Sequence, residues 1–271
     1  MSFSVVTLRD GGCAMRDDAS GEVMHPHGGP RFEAERLYVG PSRLVARLAE
    51  AGDDPLVVLD VGLGAGSNAV AAWRASAALP TEARRLTLVS FDRTVGALAV
   101  ALDDPRADAF DLTGAVADAA RALLGAGERA TARTHWRLVL GDLPDTLASL
   151  PPASVDVVFW DPYSPRADPS LWGVAAFAAL RRVCRARATV HTYSGATSTR
   201  AALLLAGFVV GLGAATREDR TSTLAATDLA DVERPLDRRW LERLRRSSAP
   251  LPTDAPPDGL ERIAALPQLA L

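Results

Sequence analysis

Two stretches hold the residue types and spacings that can do chemistry. The first is Leu56-Val-Val-Leu-Asp-Val-Gly-Leu-Gly-Ala-Gly-Ser-Asn68. It is an apolar run that ends in an acid, Asp60, followed by glycines at alternate positions, Gly62, Gly64 and Gly66. Glycine allows a sharp turn and lets a ligand lie against bare backbone. The Ala-rich segment Ser67 to Ala78 then reads as a helix whose N-terminus points back at the same spot, the arrangement of a nucleotide-type site. The second stretch is Asp161-Pro-Tyr-Ser-Pro-Arg-Ala-Asp-Pro-Ser-Leu-Trp172, an acid followed by a loop that three prolines hold stiff. An acid at the carboxyl end of a strand, followed by a rigid loop with two aromatics, Tyr163 and Trp172, suits a substrate pocket.

The glycine spacing narrows the ligand. A dinucleotide fingerprint, G-x-G-x-x-G, counted from Gly62 meets Ser67 where its third glycine belongs. Counted from Gly64 it meets Ala69.

These residues must be positioned by a sheet. Leu56 to Leu59 reads as a strand buried on both faces, as in a parallel sheet. Leu86 to Phe91 is a second strand, ending in Asp92 about one βαβ step later, where such folds hold ribose hydroxyls; the other reading of Asp92 is a cap for the segment from Thr94. Trp136 to Leu140 is a third, ending in Gly141-Asp142. Asp142 either accepts a hydrogen bond from an adenine amino group or caps a helix over Leu143 to Leu150. Val155 to Trp160 is a fourth and delivers Asp161. A helix Leu171 to Val183, a strand around Ala188 to Tyr193 and a helix Thr197 to Ala206 follow. Phe208 to Leu212 and Thr221 to Thr227 form a closing antiparallel pair around the charged Arg217-Glu-Asp-Arg220. Val95 to Leu124 is helical, interrupted at Pro105.

Ahead of the sheet, Val5 to Leu8 and Cys13 to Arg16 form a hairpin around Asp10-Gly-Gly12. Two helical pieces then break near Gly40-Pro41, with Ser42 as a cap. From Leu229 the composition shifts to a charged helix, Arg238 to Arg246, and a proline-rich Ala249 to Pro257, which predicts a loosely held end. The chain therefore reads as an α/β doubly wound sheet in three parts: a hairpin and helical lead-in over 1–50, the main domain over 51–228, and a helical, Pro-rich tail over 229–271.

At 271 residues and 48% hydrophobic the chain can bury one large core. Every one of its 30 basic residues is arginine, and the net charge of −3 argues against a broad electrostatic grip on nucleic acid. Cys13 and Cys184 are isolated, suggesting neither a disulfide framework nor a zinc site, and His25 and His27 lack a third ligand at diagnostic spacing. Met1 to Asp10 has no signal-peptide pattern, and the apolar run Ala201 to Ala215 is short for a membrane span and broken by glycines. The expectation is a soluble cytoplasmic protein with no metal and no membrane partner.

The Asp-x-Gly-x-Gly-x-Gly loop resembles the S-adenosylmethionine (SAM) loop of class I methyltransferases. Over about Thr7 to Thr227 the chain resembles the MnmC-like methyltransferases, the family of tRNA 5-methylaminomethyl-2-thiouridine methyltransferase domains and their stand-alone relatives. Thr7-Leu-Arg-Asp-Gly-Gly looks like that family's opening turn, and His25 through Glu33 like its His…Gly-x-x-x-Glu segment. Asp161-Pro-Tyr-Ser-Pro-x-x-Asp-Pro-x-x-Trp172 resembles its Asp-Gly-Phe-x-Pro-x-x-Asn-Pro-x-x-Trp signature. Thr192-Tyr-Ser194, Arg200 and Ala206-Gly-Phe208 look like its closing segment. Three departures stand out: Asp60 where the family often has glutamate, Pro162-Tyr163 for Gly-Phe, and Asp168 for asparagine.

The resemblance implies a class I SAM-dependent methyltransferase-like fold with S-adenosylmethionine as cofactor. It implies cofactor contacts at Glu33, Asp60, Gly62, Gly64, Gly66, Asn68, Asp92 and Asp142, with a surface-helix position as the other reading of Glu33. The implied acceptor is an aminomethyl nitrogen on the wobble uridine of a tRNA, or a small amine-bearing substrate. Asp161 is then the catalytic base, with Pro162, Tyr163 and Trp172 on the substrate. Tyr163 and Trp172 suit stacking of a splayed base; Trp172 equally suits packing the loop onto the following helix. Arg166 and the cluster Arg181, Arg182, Arg185 and Arg187 either meet phosphates or, for the cluster, form a solvated helix end. The flavin-dependent oxidase half fused in some members has no counterpart in these residues, which leaves room for a separate oxidase partner.

Two other functions compete. A spermidine-synthase-like aminopropyltransferase also carries an N-terminal hairpin, a glycine loop and an aspartate-proline loop, but usually with Gly-Gly-Gly-Asp/Glu-Gly, unlike Val61-Gly-Leu-Gly-Ala-Gly. A non-enzymatic binding protein predicts a broken glycine loop or a lost Asp161, and both are intact.

Overall fold

The computed structural model describes residues 2–25, 28–50, 52–217, 220–248 and 251–270. Pro26 and His27 of the His…Glu segment, Glu218 and Asp219 of the charged connection, and Ala249 and Pro250 of the proline-rich stretch lie outside the described residues. The chain divides into two compact units, Met1–Thr146 and Leu147–Leu271.

The first unit opens with the expected hairpin, β1 (Phe3–Thr7) against β2 (Cys13–Asp17), antiparallel with Thr7 opposite Cys13. Helix α1 (Gly29–Glu33) runs straight into a π-helical stretch, Ala34–Val39, and α2 (Leu44–Ala49) follows. Ser42 is not the cap of α2: its hydroxyl donates to the Val39 carbonyl at 2.9 Å, and Arg43, at φ +53°, precedes the helix. The hydroxyl therefore closes the turn behind it.

Strand β3 (Leu56–Val61), helix α3 (Ser67–Ala77), β4 (Leu86–Asp92), α4 (Gly96–Asp103), α5 (Gly114–Ala126), β5 (Glu128–Ala130) and β6 (Thr134–Leu140) follow, and the unit ends within α6 (Leu143–Ala148). Its strands lie in the order β5-β6-β4-β3, and β3, β4 and β6 run parallel, with Leu56 opposite Leu86 and Leu86 opposite Thr134. Leu56, Val58, Leu59, Leu86, Leu88 and Trp136 are buried, as apolar runs covered on both faces require. The edge strand β5 is exposed throughout and pairs antiparallel with β6; with no alternation it left no periodic signal.

The second unit holds β7 (Val155–Trp160), α7 (Val174–Val183), β8 (Cys184–Thr192), α8 (Thr197–Leu205), β9 (Val209–Arg217), β10 (Arg220–Ala226), α9 (Arg238–Arg246) and α10 (Gly259–Ala264). The order is β7-β8-β10-β9, with β7 and β8 parallel and β10 antiparallel to both of its neighbours. All six residues of β7 are buried.

The C-terminal segment is packed, contrary to the expectation of a loose end. Trp240, Leu241, Leu244, Ile263 and Leu269 are buried. The Gln268 side chain brackets Val210, accepting its N–H at 3.0 Å and donating to its carbonyl at 2.9 Å. The Asp254 carboxylate caps α7, accepting the N–H groups of Val174 and Ala175 at 3.0 and 2.9 Å. Proline content signalled irregular backbone here, and scattered apolar residues anchor it. No helix among the described residues is long and apolar enough to cross a membrane.

Candidate active site

The glycine turn is built entirely within the first unit. Gly62, Gly64 and Gly66 sit at φ +88°, +50° and +86°, the left-handed region where glycine is favoured. The turn is stapled to the end of β4. The Gly62 and Leu63 N–H groups donate to the Phe91 carbonyl at 3.0 and 3.2 Å, and the Gly64 N–H donates to Asp92 Oδ2 at 3.0 Å. Gly66 donates back to Leu63 at 2.7 Å. These N–H groups are already engaged inside the protein, so the turn is not a phosphate cradle. It offers a smooth backbone surface at the start of α3, in keeping with the failed dinucleotide spacing.

Asp92 is the acid that holds the turn, and further acids lie near the ends of β3 and β6. Asp60 is buried on β3 and accepts the Ser90 hydroxyl at 2.8 Å; Ser90 in turn accepts the Trp136 indole N–H at 2.9 Å. Asp92 also accepts the Thr94 N–H at 3.1 Å on Oδ1; it does not cap α4, whose N-cap residue is Val95 with no side-chain bond, so its carboxylate holds the glycine turn on one side and its own following turn on the other. Burial pushes its carboxyl above the ordinary value, against the opposing hydrogen bonds from Gly64, Thr94 and Arg93. Asp142 lies at the exposed end of β6, where Arg93 Nε reaches its Oδ1 at 2.6 Å. Glu33 is not on an open surface helix: its side chain is largely covered and faces His25 Nδ1 at 3.5 Å. Asn68 is buried on the first turn of α3.

The residues suit S-adenosylmethionine on one further observation. Ser67 Oγ is buried at the N-terminus of α3 and has no hydrogen-bond partner among the described residues. A polar ligand at the turn would satisfy it, since a buried hydroxyl left unpaired costs about 1–3 kcal/mol. Ser67 served the sequence argument only as a missing glycine. Met24 carried no signal in the sequence, yet its sulfur lies 3.1 Å from where a Cβ on Gly64 would stand.

The second unit holds the aspartate-proline loop. Asp161 follows buried β7 and is partly accessible, as is Tyr163, while Pro162 is buried. Two side chains clamp consecutive carbonyls behind Asp161. Tyr193 Oη donates to Pro162 O at 3.3 Å, and Trp172 Nε1 donates to Tyr163 O at 2.8 Å. The two clamping rings meet edge to face, with centroids 5.5 Å apart at 75°, and Trp172 also meets Phe177 at 6.5 Å. Trp172 is only 4% exposed, its ring packed against Tyr193 and Phe177, so its packing reading describes it in this structure and little of the ring is open to a base. Tyr193 carried no chemical signal of its own in the sequence.

The arginine cluster is engaged with neighbouring groups of the protein, although Arg182, in the last turn of α7, and Arg187 remain exposed to solvent. Arg181 donates to Gly207 O and lies over the Phe208 ring, and Arg182 donates to the carbonyls of Leu147, Ala148 and Leu150. Arg185 pairs with Asp156 at 2.9 Å and Arg187 with Asp231. Among the described residues no cluster of three or more His, Cys, Asp or Glu side chains could hold a metal ion.

The fold and the glycine-turn site define an S-adenosylmethionine-dependent methyltransferase, and a family described as S-adenosyl-L-methionine-dependent methyltransferase matches residues 115–228. The chain is 32% identical over 215 residues to the tRNA 5-methylaminomethyl-2-thiouridine biosynthesis bifunctional protein MnmC of Methylibium petroleiphilum, covering 76% of this chain and 32% of that protein. It spans about a third of the length of the curated relatives it matches. Among solved structures, MnmC2 from Aquifex aeolicus superposes with a TM-score of 0.74 at 23% identity, covering 97% of this chain and 83% of that one. Spermidine synthase from Thermotoga maritima gives 0.50 at 12% identity, covering 97% and 84%, a likeness of fold alone. The chain belongs to the MnmC-like family of S-adenosylmethionine-dependent methyltransferases.

Proposed function

We propose that the chain is a cytoplasmic N-methyltransferase acting on the aminomethyl group of a modified wobble uridine in tRNA. The observation that carries this reading is the aspartate-proline loop: a partly accessible Asp161 whose following carbonyls are held by Tyr193 and Trp172. Within this reading residues 51–228 are the catalytic domain, 1–50 its lead-in and 229–271 an appended helical, Pro-rich segment. The free aminomethyl group has to be generated beforehand, and a separate oxidase partner is the corresponding proposal.

When bound, S-adenosylmethionine supplies an electrophilic methyl group on a sulfonium. Glu33, Asp60, the turn glycines, Asn68, Asp92 and Asp142 would hold it. An alkylammonium has no lone pair with which to attack, so the acceptor nitrogen must be neutral. Asp161 orients the amine and takes its proton as the new N–C bond forms. Alignment of nitrogen and methyl is a matter of positioning, which the clamped Pro162-Tyr163 backbone serves, with Tyr163 stacking on the base.

The test is single-turnover methylation of a tRNA anticodon stem-loop bearing 5-aminomethyl-2-thiouridine. Transfer of one methyl group to the aminomethyl nitrogen is expected. Transfer instead from decarboxylated S-adenosylmethionine to a polyamine would replace this reading with the aminopropyltransferase one.

A further inference from the structure

Helix α9 has the sequence Arg-Arg-Trp-Leu-Glu-Arg-Leu-Arg-Arg, five arginines and one glutamate in nine residues. It stands out in a chain whose net charge is −3. Its apolar residues, Trp240, Leu241 and Leu244, are buried, whereas Arg238, Arg239, Arg243, Arg245 and Arg246 are all exposed. Arg239, Arg243 and Arg246 recur at i, i+4 and i+7, which sets them in one stripe about 10 Å long.

Little opposes this charge. Glu242 reaches Arg238 at 3.8 Å, and Asp237 is engaged in capping the helix at Trp240 N–H. Arg246 Nε donates to a backbone carbonyl, that of Glu242. Among the described residues Arg239, Arg243 and Arg245 make no ion pair. The positive field continues inward to Arg200, which is 8% exposed and bonded to neutral acceptors on β10: Thr223 Oγ1, Thr221 O and Oγ1, and Ser222 O. Burial first, and then the charge of Arg243, hold the Arg200 guanidinium down at about 10. The Thr223 hydroxyl that Arg200 contacts donates to Ser194 O at 2.6 Å, beside the Tyr193 clamp.

We infer that the exposed face of α9 docks the phosphate backbone of the RNA substrate. The inference rests on the reading of tRNA as acceptor and adds where the RNA is gripped. Guanidinium groups match phosphate bidentately, and a stripe of them tracks a polyanion. An anionic membrane is the other surface a basic amphipathic helix can meet, but that mode needs a free apolar face to insert. Here Trp240, Leu241 and Leu244 are already used in packing.

The test uses the full chain and unmodified tRNA, with affinity measured against salt. Arg239→Gln/Arg243→Gln/Arg246→Gln is expected to weaken binding at least about tenfold and to lower the salt slope by about one for each phosphate no longer neutralised. Glu242→Gln, which removes the one acid on the helix, is expected to tighten binding. S-adenosylmethionine affinity and melting temperature serve as folding controls. Unchanged tRNA affinity and slope in the triple variant would overturn the inference, as would a wild type that binds phosphatidylserine vesicles through these arginines but not tRNA. The acceptor is judged separately: α9-dependent tRNA binding without methylation of the aminomethyl stem-loop refutes the acceptor and leaves the docking surface standing. Methylation with no effect of the triple variant on binding does the reverse.

Discussion

Asp92 accepts the N–H of Gly64, 28 residues earlier, at 3.0 Å, so the acid at the end of β4 fixes the middle glycine of the glycine turn. Burial raises its carboxyl above the ordinary 3.8. Between that value and the higher folded one, the folded state holds more protons than the unfolded, so this group's contribution to stability falls as pH rises through the window. Asp92→Asn cannot ionise. Its stability relative to wild type is expected to climb with pH across that window and then level off, with S-adenosylmethionine affinity reduced throughout. Urea melts from about pH 3 upward, spanning that window, check this; a difference flat with pH would mean that ionisation is not opposed.

Asp161 is the second target. Asp161→Asn keeps a hydrogen-bonding side chain but cannot take the amine's proton. The chemical step is expected to slow by roughly 10²-fold or more, with cofactor affinity little changed. Single-turnover rates across pH decide the matter, and a variant as fast as wild type at every pH removes Asp161 from the mechanism.

Tyr193 and Trp172 each donate one hydrogen bond to the loop behind Asp161. Tyr193→Phe and Trp172→Phe are each expected to cost about 1 kcal/mol of stability. They should also lower kcat/KM for the acceptor several-fold at constant cofactor Kd. Equal loss of stability with unaltered acceptor kinetics would make the clamp purely structural.

Truncation after Asp231 removes Trp240, Leu241, Leu244, Ile263 and Leu269 from the core, together with the Asp254 cap on α7 and the Gln268 bracket on Val210. Each large apolar side chain contributes about 1.5–3 kcal/mol on burial, and whole domains are stable by only about 5–15 kcal/mol. The shortened chain is expected to lose cooperative thermal unfolding. A sharp melt at the wild-type temperature would show that the segment is dispensable.

What the sequence determined by itself was local. β3, β4 and β7 were legible because strands covered on both faces are written as largely apolar runs, β6 from the shorter stretch Trp136 to Leu140, and the glycine turn because its backbone excludes most side chains. Helix α9 was legible from its charge pattern. The acids at the strand ends were found for the same reason, since a parallel strand's carboxyl end is where its apolar run stops. Their partners were not legible. The Ser90 and Trp136 relay to Asp60, the bond from Gly64 to Asp92, and the capping of α7 by Asp254, 80 residues beyond Val174, join positions far apart in the chain. Only tertiary packing decided them, because a hydrogen bond depends on distances of a few ångströms that no pattern of residue types encodes. The same holds for the C-terminal segment: its prolines foretold irregular backbone, and burial alone decided that it is part of the core.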